Sequence, residues 1–299
     1  LIDNKEAFSI IRNELKDSGT VYLKEDLSVK RHITSTGKMV KPNVIMITIE
    51  SLSADFLKTF GNTQGITPVL DRLAQNSISF TNMYATGTRT VRGMEALSLA
   101  ISPTPGSSIV RRPDNDNLFT IGYMFQQQGY ETGFFYGGDG YFDNMNQYFG
   151  SNGYAVTDRS RNLLATDNFK SPHHIIPDSL VNFENAWGIS DGDLYSAVIR
   201  DADEKFKDGK LFYDFVMTTS NHRPYTYPSG KIDIPSGSGR EGAVKYTDYA
   251  IGELIDKIKN KPWFNNTVII FIADHCASSA GRNEIDIAKY HIPAIIYNL

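Results

Sequence analysis

Two strongly apolar runs, far apart in the chain, each end on an acidic residue. Residues 43–49 (Asn43-Val44-Ile45-Met46-Ile47-Thr48-Ile49) lead into Glu50, and residues 267–273 (Thr267-Val268-Ile269-Ile270-Phe271-Ile272-Ala273) lead into Asp274-His275. Near-continuous β-branched runs of this length predict central strands of a parallel sheet, covered on both faces. Ligands of open α/β sheets sit beyond the carboxyl ends of the strands, so this pattern gathers Glu50, Asp274 and His275 at one edge. Oxygen and imidazole ligands of that kind suit a divalent cation such as Mn²⁺ or Zn²⁺. Neighbouring side chains on a strand face opposite ways, so Asp274 and His275 reach one ion only where the strand has ended and the backbone turns. The competing reading is a helix-capping acid at each strand end with a surface histidine beside the second.

Strand and helix patterns alternate from Asn43 onward, which predicts a three-layer αβα sandwich around a mainly parallel central sheet. Thr67-Pro68 offers a capping residue and a first-turn proline for a helix over 69–74. Strands are expected at 77–80, 130–136, 211–217 and 292–297, and helices at 91–100, 119–128 and 244–259. Residues 150–190 read as irregular, aromatic and polar surface over the site. Residues 1–40 are polar and mixed, with a helical stretch at 4–16, and read as an N-terminal arm leading into one domain over 41–299. The chain opens on Leu1 and stops at Leu299 inside an apparent strand, so it reads as a segment of a longer protein, with the domain truncated at its C-terminus.

A net charge of −4 over 299 residues argues against a nucleic-acid binder steered by bulk charge. The single cysteine, Cys276, excludes an intramolecular disulfide and any cysteine-based zinc finger. No run approaches the roughly 20 apolar residues of a membrane helix.

Residues 85–95 form a hydroxyl-rich, glycine-bearing loop opening a helix, a junction whose free N–H groups suit an anion. Thr90 there reads either as a plain N-cap or as a metal-activated hydroxyl able to attack phosphorus. Arg89 and Arg92 read as phosphate ligands or as solvated side chains. His222 follows the 211–217 strand and could donate to a phosphoryl oxygen or leaving group. His173, His174 and His291 have no spacing to partners, and Cys276 reads as a packed small residue.

The ordered set 43–51 (ending Glu50-Ser51), 87–97 (Gly87-Thr88-Arg89-Thr90-Val91-Arg92-Gly93-Met94-Glu95-Ala96-Leu97), 219–225 (Thr219-Ser220-Asn221-His222-Arg223-Pro224-Tyr225) and 272–275 (Ile272-Ala273-Asp274-His275) resembles the lipoteichoic-acid-synthase type of phosphoglycerol transferase. That type lies in the sulfatase-like branch of the alkaline phosphatase superfamily. The resemblance implies that Glu50, Asp274, His275 and Thr90 hold one divalent metal, Mn²⁺ in this branch, with Zn²⁺ or Mg²⁺ as alternatives. It implies that Thr90 is the nucleophile, with Thr88 its rival, and that Arg89 and His222 contact the substrate. The implied reaction moves a phosphoryl-linked head group from a phospholipid or glycan phosphodiester to a hydroxyl acceptor through a phosphothreonine. The implied setting is extracytoplasmic, in a protein anchored in a membrane, with no nucleic-acid partner.

Where the family places His, Trp and Arg after the middle strand, this chain has residues 136–146, with Asp139 and Asn146 suited to an amine or hydroxyls, as of an ethanolamine or glycan head group. Two other readings stand beside transfer: a metal-dependent phosphodiester or sulfate-ester hydrolase, and a catalytically silent sensor of lipid head groups. A formylglycine arylsulfatase is disfavoured, because no Cys/Ser-x-Pro-x-Arg pentapeptide occurs.

Overall fold

The computed structural model describes residues 2–24, 27–34, 37–160, 169–277 and 286–299. The chain divides into two compact units, residues 1–41 and 42–299. In the first, helix α1 (Asn4–Glu14) is capped by the Asp3 carboxylate, which accepts from the Lys5 amide at 3.0 Å. Strands β1 (Thr20–Tyr22) and β2 (Arg31–Ile33) pair antiparallel.

The second unit contains, in order, β3 (Asn43–Ile49), α2 (Pro68–Gln75), β4 (Ile78–Phe80), α3 (Thr90–Leu99), α4 (Ile121–Gln127), β5 (Tyr130–Tyr136), α5 (Met145–Ser151), β6 (Ala155–Asp158), β7 (His173–Ile175), β8 (Glu184–Asn185), β9 (Gly188–Ile189), α6 (Asp191–Lys207), β10 (Leu211–Met217), α7 (Arg240–Ile258), β11 (Thr267–Ala273) and β12 (Ala294–Tyr297). Eight strands form one sheet in the order β4-β12-β11-β3-β10-β5-β6-β7. The run from β11 to β7 is parallel throughout, and β12 runs antiparallel to both β11 and β4. Every residue of β3 is buried, as its unbroken apolar run requires for a strand covered on both faces.

Alternation along β10 sorts the helices into two outer layers. Phe212 and Asp214 face Trp263 and Lys205, on the side of α6 and α7. Tyr213 and Phe215 face the other way, where Tyr213 stacks on Phe125 of α4 at 4.4 Å and Phe215 meets Phe149 of α5 at 5.1 Å. The three-layer αβα sandwich is therefore built on an aromatic-rich core.

Two local expectations change. Pro68 opens α2, but Thr67 makes no cap bond; Asp248 of α7 accepts from the Val69 and Leu70 amides at 3.0 and 2.7 Å. The described part of the stretch 150–190 is more regular than expected: it supplies β6 and β7 to the main sheet and the β8–β9 hairpin, whose Trp187 does border the site. Residues 161–168 of that stretch lie outside the described residues. His173 reaches the buried Asp158 at 2.9 Å, so it serves this edge of the sheet.

Lys205 is the buried cation of the α6 layer, 2.5 Å from Asp201 and 2.8 Å from Asp214. Asp214 is fully buried, and its second oxygen already has no hydrogen-bond partner among the described residues. Lys205→Met leaves that carboxylate uncompensated and is expected to cost about 3–5 kcal/mol, read by urea denaturation. Adding Asp214→Leu should recover most of it. A single-variant loss under about 1 kcal/mol would instead class the pair with screened surface pairs.

Candidate active site

Register places the site. Ile49 of β3 pairs with Ala273 of β11, and Thr48 with Met217 of β10, so three parallel strands end at one edge. Glu50 and Asp274 lie one step beyond the last paired residues, side by side. The Glu50 amide donates to the Thr218 hydroxyl at 3.0 Å. Ser51 adopts the left-handed region at φ 50, turning the chain so that its amide donates to Asp274 Oδ1 at 2.9 Å and its hydroxyl to Glu50 Oε1 at 2.6 Å. Asn221, from the loop after β10, donates to the Glu50 carbonyl at 2.9 Å. That loop is fixed in turn by buried Asp191, which accepts from the Thr219 and Ser220 amides and the Thr247 hydroxyl.

The strand has ended at Ala273, and Asp274 Oδ1 folds back to accept from the His275 amide at 2.8 Å. Both side chains thereby reach the same point. His275 Nδ1 lies 2.8 Å from the Cys276 carbonyl; a carbonyl only accepts, so Nδ1 carries the proton and Nε2 presents its lone pair. Nε2 sits 3.4 Å from Asp274 Oδ2 and 3.7 Å from Glu50 Oε1.

Thr90 is the first residue of α3, and its hydroxyl caps nothing: it donates to Glu50 Oε2 at 3.2 Å. Helix α3 comes this close because Gly93 packs flat on the end of β11. A Cβ there would stand 2.6 Å from the Asp274 carbonyl oxygen and 2.8 Å from its Cα. Gly93→Ala must push α3 away from backbone that cannot yield, carrying Thr90 from Glu50. Turnover of a chromogenic phosphodiester is expected to fall about a hundredfold, with a stability loss of about 1–3 kcal/mol. Wild-type turnover in this variant would mean that the position of Thr90 is not used.

Glu50, Asp274 and His275 offer ligand atoms all within 4.8 Å of one another, and all three residues are buried. Asp274 Oδ2 is buried with no hydrogen-bond partner among the described residues, an unsatisfied acceptor whose cost a proton or a cation would remove. Burial, and then the neighbouring Glu50 charge, push Asp274 up to about 7. Burial opposes charge on His275, but Asp274 and Glu50 outweigh it and raise its pKa. The same field that draws protons to this pair draws a metal ion, and two carboxylates with one imidazole Nε2 fit a divalent cation.

Glu50, Thr90 and His275 open onto a cleft of about 1340 Å³ that Arg89, Thr88 and His222 also line. His222 Nδ1 faces the Arg223 carbonyl at 3.0 Å, leaving Nε2 free, and its ring packs against Trp187 at a 35° tilt with centroids 3.5 Å apart. Arg92 is structural: it pairs with buried Glu95 at 2.9 Å and reaches the Gly106 carbonyl. Cys276 donates to the His291 carbonyl, and burial pushes its thiol up to about 11, so it is a packed residue.

Asp139 and Asn146 are not brought to the cleft. Asp139 accepts from Ser160 at 2.6 Å, and Asn146 is buried with its Oδ1 on the Gln147 amide. The cause is backbone: Asp143 and Asn144 take left-handed φ values of 57 and 62, which turns Tyr141, Phe142, Asp143 and Asn144 toward the cleft instead.

Sequence reasoning missed Trp187. Gly137 and Gly138 make room for the β8–β9 hairpin that carries it; a Cβ on Gly138 would stand 2.5 Å from the Trp187 carbonyl oxygen. The signal was there in the Gly137-Gly138 pair and the Asn185-x-Trp187-Gly188 turn. Arg111, 3.6 Å from Asp143, and Arg240 are further cleft residues with no local motif.

The sulfatase family model matches residues 42–298. The chain superposes on a protein in the alkaline phosphatase superfamily from Vibrio parahaemolyticus with a TM-score of 0.82 and 34% identity, covering 99% of this chain and 69% of that one. It shares the fold of the lipoteichoic acid synthase LtaP from Listeria monocytogenes at a TM-score of 0.68 and 20% identity, covering 86% of this chain and 65% of that one. Phosphoglycerol transferase I of Salmonella choleraesuis (strain SC-B67) is 26% identical over 92% of this chain and 36% of its own length. The chain thus spans about a third of the length of the curated relatives it matches.

Proposed function

Because the chain belongs to the sulfatase family, we propose that it transfers a phosphoryl-linked head group, phosphoglycerol or a chemically similar one, from a phospholipid to a hydroxyl acceptor through a phosphothreonine at Thr90. One observation carries this reading: the Thr90 hydroxyl caps no helix but points at Glu50, within the buried Glu50–Asp274–His275 cluster. The similarity to phosphoglycerol transferase I over 92% of this chain supports the substrate class.

Glu50, Asp274 and His275, with Thr90 completing the set, would hold one divalent ion, Mn²⁺ in this proposal. Bound there, such an ion supplies positive charge to phosphoryl oxygens and favours the alkoxide form of a neighbouring hydroxyl. In the first step Thr90 Oγ1 attacks phosphorus, its proton leaves, the bond from phosphorus to the diacylglycerol oxygen breaks, and that oxygen takes up a proton. The head group is then a phosphodiester on Thr90. In the second step an acceptor hydroxyl attacks the same phosphorus, its proton passing to His222 Nε2, the bond from phosphorus to Thr90 Oγ1 breaks, and Oγ1 takes up a proton. The positive N-terminus of α3 stands behind the phosphoryl group, and Arg89 adds charge on the same side. His222 Nε2, oriented by the Arg223 carbonyl and the Trp187 ring, accepts a hydroxyl proton from head group or acceptor. The same steps with water as acceptor make a hydrolase.

Among the described residues no helix is long and apolar enough to cross a membrane. In this reading the domain works outside the cytoplasm, facing a membrane that supplies the lipid donor.

The test is intact mass after incubation with phosphatidylglycerol and Mn²⁺, comparing wild type with Thr90→Ala. A metal-dependent gain equal to a glycerophosphoryl group, absent in Thr90→Ala, is the expected result. A gain that persists in Thr90→Ala overturns the assignment of the nucleophile. Release of free head group without added acceptor favours hydrolysis.

A further inference from the structure

Ten of the 25 large hydrophobic side chains that stand exposed among the described residues fall in the first 41 residues. The same unit carries eight Lys and Arg against six Asp and Glu, whereas residues 42–299 carry 22 against 28. A small unit that is apolar on its outside and cationic, in a chain that is acidic elsewhere, suits a partner that is both apolar and anionic.

Helix α1 sorts these groups by face. Lys5, Arg12 and Lys16 follow one another at intervals of seven and four, so they share one stripe along the helix and the turn that closes it. Phe8, Ile11 and Leu15, at intervals of three and four, form the stripe alongside, and Glu6 and Glu14 fall outside both. No residue of α1 is buried, although a helix of 11 residues draws most of its stability from a covered face.

Between the cationic stripe and β1 lies a groove of about 470 Å³, which shares no lining residue with the cleft of Glu50 and Thr90. Phe8, Tyr22 and Leu27 give it apolar walls, and Lys5, Arg12 and Lys16 give it charge. Arg12 is fixed there: its guanidinium lies over the Tyr22 ring, 4.1 Å from the centroid, and donates to the Lys24 carbonyl at 2.9 Å. The Tyr22 hydroxyl donates back to the Arg12 carbonyl at 2.5 Å. Lys5 and Lys16 are exposed, and among the described residues neither ammonium meets a carboxylate. An acidic protein would match these charges alone. Ile11, Leu15 and Leu27, 45, 37 and 48% exposed, call for an apolar phase directly beneath the anionic layer. A bilayer supplies the two in that order, with lysine stems lying along the apolar side chains and their heads among the phosphates.

We propose that this face of residues 1–41 is a membrane-surface module, which docks reversibly on anionic phospholipid with Lys5, Arg12 and Lys16 over the head groups and Ile11, Leu15 and Leu27 entering the layer below. The docking goes beyond the phosphoryl-transfer reading and needs neither the metal cluster nor Thr90.

Co-sedimentation of the intact chain with lipid vesicles in EDTA at low ionic strength is the test. The chain is expected to bind vesicles of equal parts phosphatidylcholine and phosphatidylglycerol about tenfold or more tighter than vesicles of phosphatidylcholine alone. Lys5→Gln/Arg12→Gln/Lys16→Gln should lose about tenfold or more of that binding, and added salt should weaken the wild type likewise. Lys5→Gln/Lys16→Gln, which leaves the Arg12–Tyr22 contact in place, should lose about threefold or more. Ile11→Ser/Leu15→Ser keeps every cation and should lose about fivefold or more. Thermal melting checks that each variant is folded, and each should turn over a soluble chromogenic phosphodiester as the wild type does. Thr90→Ala should bind the mixed vesicles undiminished. No binding, equal binding to both kinds of vesicle, or undiminished binding by the folded triple variant overturns the module. Wild-type binding by Ile11→Ser/Leu15→Ser shows a contact made by charge alone, as with an acidic protein, and overturns docking on a bilayer. Loss of binding in Thr90→Ala puts the lipid contact in the cleft and does the same. Should the Thr90 adduct fail to form while vesicles still bind through α1, only the transfer reading falls.

Discussion

Thr90→Ala is expected to lower turnover of a phosphodiester a thousandfold or more, with the fold intact, the scale of loss when a covalent nucleophile is removed. The change deletes one hydroxyl and a methyl at the first residue of α3, where the side chain supplies no cap, so unfolding is not the expected cause. Thr90→Ser keeps a hydroxyl within reach of Glu50 and should stay within about tenfold of wild type, since it frees only a side-chain rotation that the β-branch restricts. The pattern of Ala dead and Ser active separates a nucleophile from a packing residue. If Thr90→Ala retains activity while Thr88→Ala loses it, the nucleophile is Thr88, which also lines the cleft.

Asp274→Asn should weaken Mn²⁺ binding by about a hundredfold or more, beyond the loss typical of outer-shell changes. The amide can still accept from the Ser51 and His275 backbone through Oδ1, but it removes the charge aimed at the ion. Added Mn²⁺ should therefore raise the melting temperature of wild type and leave the variant's unchanged; an equal rise in both would exclude Asp274 as a ligand.

The pH dependence of the chelated wild type follows from the same pair. Asp274 rises from its usual 3.8 to about 7, by burial first and the Glu50 charge second, so the folded state holds this proton more tightly than the unfolded chain. Its contribution to stability falls as pH rises across that window. His275, raised against its burial by Asp274 and Glu50, contributes stability that is complete below its usual 6.5 and is lost as pH climbs through its folded value. Both shifts make the metal-free protein less stable toward neutral and alkaline pH. Metal binding expels those protons, so apparent Mn²⁺ affinity should increase from about pH 6 to about pH 8. A stability of the chelated protein that increases over this range would contradict the sign.

What the sequence disclosed followed from period and position. β3, β5, β10 and β11 are each seven residues long and read correctly from their apolar runs, because strands buried on both faces admit little else. The Glu50, Asp274 and His275 cluster was legible from those strand ends alone. Helix α6 was not anticipated: Asp191, Asp193 and the Lys205 ion pair put charges on its buried side, which blurs the apolar stripe. Yet Ser190 accepts from the Asp193 amide in a capping pattern that was available to read. The edge strands β6 and β7 have only four and three residues, too short for a period. The assignment of Asp139 and Asn146 failed on φ angles at Asp143 and Asn144 that no pattern of residue types announces. Trp187 failed because its approach depends on glycines some 50 residues away.

The pairing of β3 with β11 also orders events in time. The Ser51 amide and the Asp274 carboxylate that accepts from it are separated by 223 residues, so the site cannot be complete before β11 has joined the sheet. Until β11 pairs with β3, Glu50 has neither Asp274 nor His275 beside it with which to share an ion. Contacts of such long sequence separation form late and slowly. A nascent or partly folded chain is therefore inert toward metal and phosphoester alike, and competence arrives in one step with closure of the sheet.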